Sequence, residues 1–217
     1  MTAASNTFLT STVMQIAGMT DEHGTAASNI GSVDSPPDSA LVVRTRAGDA
    51  AAFEALVRRH YRAAFAVALA HVGNRADAED VCHDAFVRAA AHLDECRQPE
   101  RFVQWLCAIV RNHARNVLAR GVVRRAEPLL HETASSGDDS ARNAELAELR
   151  SRLEQALVLL SPVQREVVLL HDLDGWTHDA IAAMIGTSAG MSRQHLFHAR
   201  RRLRDALGPG LRAEYLP

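Results

Sequence analysis

Five arginines crowd one short stretch, at Arg193, Arg200, Arg201, Arg202 and Arg204, and between positions 188 and 207 only Asp205 answers them. An ordinary solvated helix interleaves both signs of charge, so a one-signed run is a candidate surface for phosphate. Arginine also pairs in bidentate fashion with the major-groove edge of guanine, as glutamine does with adenine, and Gln194 follows Arg193 directly. A second basic group, Arg111, Arg115, Arg120, Arg124 and Arg125, has no acid between Glu100 and Glu127, and Asn112, His113 and Asn116 are interleaved with it. With Phe102 and Trp105 just upstream, this composition suits single-stranded nucleic acid, which is held by phosphate contacts and base stacking together. The spacing of Trp105 also matches an apolar stripe, so a core indole is the competing reading.

Other reactive groupings are weaker. His171-Asp172 and His178-Asp179 imitate the His-Asp pairs of metal phosphohydrolases, yet they flank a capped turn where polar helix-end residues are expected in any case. His92 with Cys96, and His195 with His198, offer two ligands each, and two ligands do not make a metal site. No nucleophile with its base, no glycine-rich phosphate loop and no pair of acids stands in a catalytic context. The expectation is a non-enzyme with no metal and no cofactor.

The elements that must position the C-terminal arginines are two helices and a tight turn over 177–204. Thr177 is a helix N-cap, Ile181, Met184 and Ile185 fall at helical spacing, and Gly186 stands where a left-handed C-cap is wanted. Ser188 caps a second helix whose inward stripe is Ser192, Leu196, Ala199 and Leu203, with Arg193, Gln194, Phe197 and Arg201 projecting elsewhere. This is helix-turn-helix layout, in which the second helix enters the major groove. A purely structural helical hairpin has the same pattern.

The whole chain has 217 residues and a formal net charge of -2, which hides a strong segregation. Residues 1–40 hold four acids and no Arg or Lys, and 127–148 hold six acids against one Arg, so the helical remainder is basic. Every basic residue is arginine, with its planar fork. The three cysteines show no C-x-x-C spacing, which speaks against a disulfide framework or structural zinc and for the reducing cytosol. No apolar run approaches a membrane span and no secretory signal opens the chain.

In chain order, 1–39 is rich in Ser, Thr, Ala and Gly and reads as a disordered extension. A short helix over 41–47 closes at Gly48. Asp49 caps a long one with Phe53, Leu56, Val57, Tyr61, Ala64, Phe65, Ala68, Leu69 and Val72 on its buried stripe. Asp77 opens the next, with Ala78, Val81, Cys82, Ala85, Phe86, Ala89 and Leu93 inward and Asp80, His83, Asp84, Val87, Arg88 and Ala91 outward. Pro99 starts a third, whose inward residues are Phe102, Trp105, Leu106 and Ile109. An acidic linker spans 127–139. Ser140 begins a helix with Leu146, Leu149, Leu153, Leu157 and Leu160 toward a core, and 161–164 is a capping box with proline in first position. The fold class is all-α: two small helical domains on a flexible acidic linker, the C-terminal one a helix-turn-helix. Their bounds are 40–126 and 140–208, with a tail at 209–217.

The segments AGDAAAFEALVRRHY (47–61), ADAEDVCHDAFVRA (76–89), FVQWLCAIVRNHARNVLAR (102–120), LSPVQREVVLLHDLDGWTHDAIAAMIG (160–186) and HARRRLRDAL (198–207), in this order, resemble a bacterial RNA polymerase sigma factor of the two-domain extracytoplasmic-function type. The resemblance covers 40–207. It implies that Asp80, His83, Asp84, Val87 and Arg88 dock on the clamp of the polymerase's largest subunit. It implies a minus-ten surface of Trp105, Arg111, Asn112, Arg115, Asn116, Arg120, Arg124 and Arg125 that traps bases of the opened strand. It places Thr177, Ser188, Met191, Arg193, Gln194, His195, Phe197, Arg200 and Arg201 at the duplex minus-thirty-five element, with this domain near the flap of the second-largest subunit. The implied partners are core RNA polymerase, promoter DNA in duplex and single-stranded form, and a possible anti-sigma protein, in the cytoplasm.

The sequence departs from the family pattern at several positions. His83 and Asp84 stand where Gln and Glu are usual, Asn116 where Asp is usual, Met191-Ser192 where Thr-Val is common, and His195 where Arg is common. Ser192 places a hydroxyl on the buried stripe, from which a loosened recognition helix is expected. The alternative is a helix-turn-helix regulator that never joins polymerase, which leaves the basic run at 111–125 without a role.

Overall fold

The computed structural model describes residues 35–124, 152 and 155–207, the side chains of 121–124 excepted. Expectations for 1–34, for Arg125, the linker at 127–139, the helix from Ser140 with Leu146, Leu149 and Leu153, and the tail at 209–217 lie outside those residues.

Helix α1 (Asp38–Arg46) starts after Pro37, earlier than the apolar pattern indicates. Its Asp38 carboxylate accepts from Arg59 Nη1 at 2.6 Å and meets His60 Nε2 at 2.8 Å, which fastens α1 to the next helix. Helix α2 (Ala50–Val72) is capped by Asp49, whose side chain accepts from the Ala52 N–H at 3.2 Å; such a cap contributes about 1 kcal/mol. It ends at Gly73, φ +83°, a left-handed conformation that costs glycine little. Helix α3 (Arg75–Ala91) begins two residues before the expected Asp77, because the Asn74 side chain caps it by accepting from the Asp77 N–H at 2.9 Å. Pro99 opens a 3-10 turn (Pro99–Arg101) that runs directly into α4 (Phe102–Arg124).

Helices α2, α3 and α4 pack on one another around Phe53, Leu56, Phe86, Phe102 and Leu106, all fully buried. Each such side chain contributes roughly 1.5–3 kcal/mol relative to an exposed one. Tyr61 joins them, its ring 6.3 Å from that of Phe86, and burial pushes its phenol up to about 12.

In the second helical group, residues 155–158 are helical and the expected capping box follows: the Gln164 N–H donates to Ser161 Oγ at 3.3 Å, and the Ser161 N–H to Gln164 Oε1 at 3.2 Å. Helix α5 (Pro162–Val168) continues into a π-helical turn (Leu169–Leu173), which the apolar period does not announce. Helices α6 (His178–Ile185) and α7 (Ala189–Leu207) follow, joined through Gly186.

The two groups touch. Helix α2 packs on α5 and on the π turn, α4 meets α6, and one apolar cluster runs through both groups. At Gly73 an added Cβ would lie 3.4 Å from Arg165 Nη1, so α2 ends hard against α5. Among the described residues no helix is long and apolar enough to cross a membrane.

Candidate nucleic-acid and protein interfaces

The α6–α7 pair is built as its sequence requires. The Ala180 N–H donates to Thr177 Oγ1 at 3.2 Å, Gly186 takes φ +73° with its N–H on Ala182 O, and the Met191 N–H donates to Ser188 Oγ at 3.2 Å. Ser192, Leu196 and Ala199 are buried against the rest of the group. The opposite surface of α7 exposes Met191, Arg193, Gln194, Phe197, Arg200 and Arg201, with His195 half-buried. Phe197, 65 % exposed, stands edge-on to His198.

Ser192 does not loosen this helix. Its hydroxyl lies 3.0 Å from His178 Nδ1, so the polar atom on the buried stripe has a partner on α6 and holds the pair together. The His178 ring stacks on His171 with centroids 4.5 Å apart; burial, then His171 and Arg193, draw its pKa down. His171 Nδ1 meets Asp172 Oδ1 at 2.8 Å, and Arg200 Nη2 donates to the same oxygen at 2.6 Å. Arg200 and His171 hold the Asp172 carboxyl below its usual range against the opposing effect of burial. Asp172 therefore braces the π turn against α7, and His178 braces α6 against it. Among the described residues no group of three or more His, Cys, Asp or Glu could hold a metal.

On α4, Asn112, Arg115, Asn116 and Arg120 are exposed and recur at helical spacing. Trp105 is half-buried, its ring 5.9 Å from Phe102 and tilted by 45°, so part of the indole packs on the core. Arg111 is placed differently. Its Nε lies 3.1 Å from Glu166 Oε1, its Nη2 donates to the same oxygen, and its side chain is 14 % exposed. The backbone at Arg124 is helical, but its side chain, like all of Arg125, lies outside the described residues.

Glu166 and His71 carry no mark of a site in the sequence; Glu166 sits beside Arg165 in the first turns of a helix, where charged residues are ordinary. Glu166 is 2 % exposed, and His71 Nε2 lies 3.5 Å from its Oε2, at ion-pair range but outside hydrogen-bond geometry. Burial acts to raise the Glu166 pKa, but His71 and Arg111 outweigh it and hold the carboxyl ionised, below its ordinary range.

On α3, Asp80, Asp84 and Arg88 are exposed, while His83 and Val87 are half-buried. Asp84 Oδ2 meets Nε2 of the buried His113 at 3.0 Å, which links this face to the polar side of α4. His113 is the second contact that sequence reading missed.

Comparison with known proteins follows the same division. Residues 56–125 match the family model "Sigma-70 region 2", and 150–203 match "Sigma-70, region 4". The RNA polymerase sigma-H factor of Pseudomonas aeruginosa is 30% identical over 188 residues, covering 81% of this chain and 96% of that protein. The RNA polymerase sigma factor CarQ of Myxococcus xanthus is 31% identical over 165 residues, covering 76% and 94%. Among solved structures, CnrH in complex with the cytosolic domain of CnrY matches with a TM-score of 0.55 and 28% identity over 78% of this chain and 96% of that one.

Proposed function

The chain belongs to the extracytoplasmic-function family of bacterial RNA polymerase sigma factors, and on that premise we propose how its surfaces divide the work of starting transcription. As a sigma factor it directs promoter-specific initiation by binding core RNA polymerase and promoter DNA, and it is a non-catalytic regulatory protein. The relatives are sigma factors along nearly their whole length, which leaves the plain-regulator reading without support.

In our reading, 40–126 forms the polymerase-docking and minus-ten domain, 140–208 the minus-thirty-five domain, and 127–139 an acidic linker, flanked by an extension at 1–39 and a tail at 209–217. Helix α7 is the recognition helix of a helix-turn-helix. Arg193 and Gln194 read base edges in the major groove while Thr177, Ser188, His195, Arg200 and Arg201 hold the backbone, and Met191 and Phe197 meet apolar edges such as thymine methyls. Asn112, Arg115, Asn116 and Arg120, with Trp105 and the basic end of α4, receive the opened strand. Asp80, His83, Asp84, Val87 and Arg88 dock on the clamp of the largest subunit, and the minus-thirty-five domain lies at the flap of the second-largest. CnrH was solved with the cytosolic domain of CnrY; for this chain we propose a protein partner of the anti-sigma kind and a cytoplasmic location.

The observation that carries this assignment is the one-signed outer surface of α7, where Arg193, Gln194, Phe197 and Arg201 are exposed opposite a buried Ser192-Leu196-Ala199 stripe. Permanganate footprinting of a genomic promoter fragment with core polymerase tests it. Thymines upstream of the start site should become reactive only when this protein is added, and a fragment library with no such melted sites would overturn the assignment.

A further inference from the structure

Asp172 stands in the π turn, a geometry that recurs at functional sites, and its carboxylate grips one arginine of α7 through two hydrogen bonds. Arg200 Nε donates to Oδ2 at 3.1 Å and Nη2 donates to Oδ1 at 2.6 Å. Among the described residues nothing accepts from Nη1 of this guanidinium, and the side chain is 44 % exposed. Arg200 comes two turns after Arg193 on α7 and so shares its face. Both arginines act electrostatically on His178, the first residue of α6, which sets Arg200 beside the start of that helix. His171 steadies the carboxylate: its Nδ1 meets Asp172 Oδ1 at 2.8 Å while its ring stacks on His178. An acid in this place weakens the attraction of α7 for phosphate. It would lie well within a Debye length of any phosphate that Arg200 touches and would repel it, so the one-signed charge of the helix does not account for it.

We propose that Asp172 is a positioning residue for promoter binding: it presents Arg200, by the open Nη1 edge, to one backbone phosphate of the minus-thirty-five duplex. The inference rests on the minus-thirty-five role given to α7. A free arginine loses rotamer freedom when it takes up a phosphate, whereas one already held through Nε and Nη2 has lost that freedom on folding. The planar fork suits both tasks at once, since two of its donors face the carboxylate side by side and a third remains for the phosphate. Lysine, a point charge on a flexible stem, has no such division of donors. Repulsion between Asp172 and the phosphate acts against binding, and preorganisation of Arg200 acts for it. Preorganisation is the larger of the two, so the acid strengthens the hold on DNA.

The test measures binding of holoenzyme, assembled from core RNA polymerase and the full chain, to a duplex cut from the upstream part of a promoter mapped by run-off transcription. The parent is compared with Asp172→Asn, Arg200→Ala, Arg200→Lys and the double variant Asp172→Asn with Arg200→Ala. A second set of duplexes carries one neutral methylphosphonate at each backbone position in turn. Asp172→Asn should weaken binding roughly fivefold, the cost of immobilising one rotamer-rich side chain on association, although an acid has been removed from a DNA-binding face. Added to Arg200→Ala, the same substitution should cause no further loss. One methylphosphonate should weaken the parent strongly and Asp172→Asn and Arg200→Ala much less, a pattern that a bond serving only to brace the fold would not produce. If Asp172→Asn fails to fold, as judged by circular dichroism, Arg200→Lys, which keeps the charge and loses the fork, decides by its affinity and its methylphosphonate profile. Unchanged or tighter binding by folded Asp172→Asn would overturn the inference, as would a methylphosphonate profile identical to that of the parent. A parent holoenzyme with no affinity for the duplex would overturn the minus-thirty-five reading and this inference with it, whereas a parent that binds beside variants that lose nothing would overturn the inference alone.

Discussion

Ser192 Oγ and His178 Nδ1 lie 3.0 Å apart, joining the buried stripe of the last helix to the first turn of the helix before it. Ser192 is itself fully buried, so its hydroxyl has exchanged water for this imidazole. Ser192→Ala should lower unfolding free energy by roughly 1 kcal/mol, the net worth of one such bond. Urea denaturation followed by circular dichroism measures it, and an unchanged midpoint would show that the bond contributes nothing.

Acid should loosen the fold through Glu166. Burial acts to raise the pKa of this carboxyl, but His71 and Arg111 outweigh it and hold the folded value below the ordinary one. A depressed folded pKa gives a contribution that is complete above the unfolded value and is lost as pH falls through the folded one. Asp38, favoured by His60 and Arg59, and Asp172, favoured by Arg200 and His171, act in the same direction. Thermal midpoints from neutral pH down to about pH 3 should therefore decline, and less steeply in Glu166→Gln. Equal slopes in the two proteins would remove Glu166 from the account.

Duplex recognition should depend on Arg193 and on salt. If Arg193 reads a base edge, Arg193→Ala weakens binding of the holoenzyme to a minus-thirty-five duplex by roughly 1–3 kcal/mol, with relaxed preference at one base pair. Affinity of the parent should fall linearly on a log-log plot against salt. A uniform loss across sequences would reassign Arg193 to phosphate.

Much of this was legible in the sequence because the signals are local. Asp49, Ser161, Thr177 and Ser188 cap the helices their positions suggest, and the apolar stripes of α2, α3 and α7 are the ones buried. The start of α3 is less legible, because Asp77 has a cap's residue type while its N–H donates to the Asn74 side chain, which is the cap. The π turn at Leu169–Leu173 has no periodic trace in so short an apolar run. The hardest feature was Arg111. A run of arginines shows charge but not direction, and its carboxylate partner stands 55 positions away; only the meeting of two helix faces decides which arginine turns inward.

Strand opening should depend on Arg115, which is exposed on α4 near Asn112 and Asn116. Arg115→Ala should reduce open-complex yield more than formation of the initial closed complex, seen by comparing permanganate reactivity with band-shift titration. Equal loss in both assays would place Arg115 in recruitment instead of melting.

The central claim is that two arginine-bearing helical groups, both engaged by polymerase, choose a start site together. Run-off transcription from a genomic fragment library, with core RNA polymerase alone and with this protein added, tests it most directly. The expected result is a small set of transcripts with defined 5′ ends that appear only with the protein. Identical transcript patterns with and without it would contradict the account.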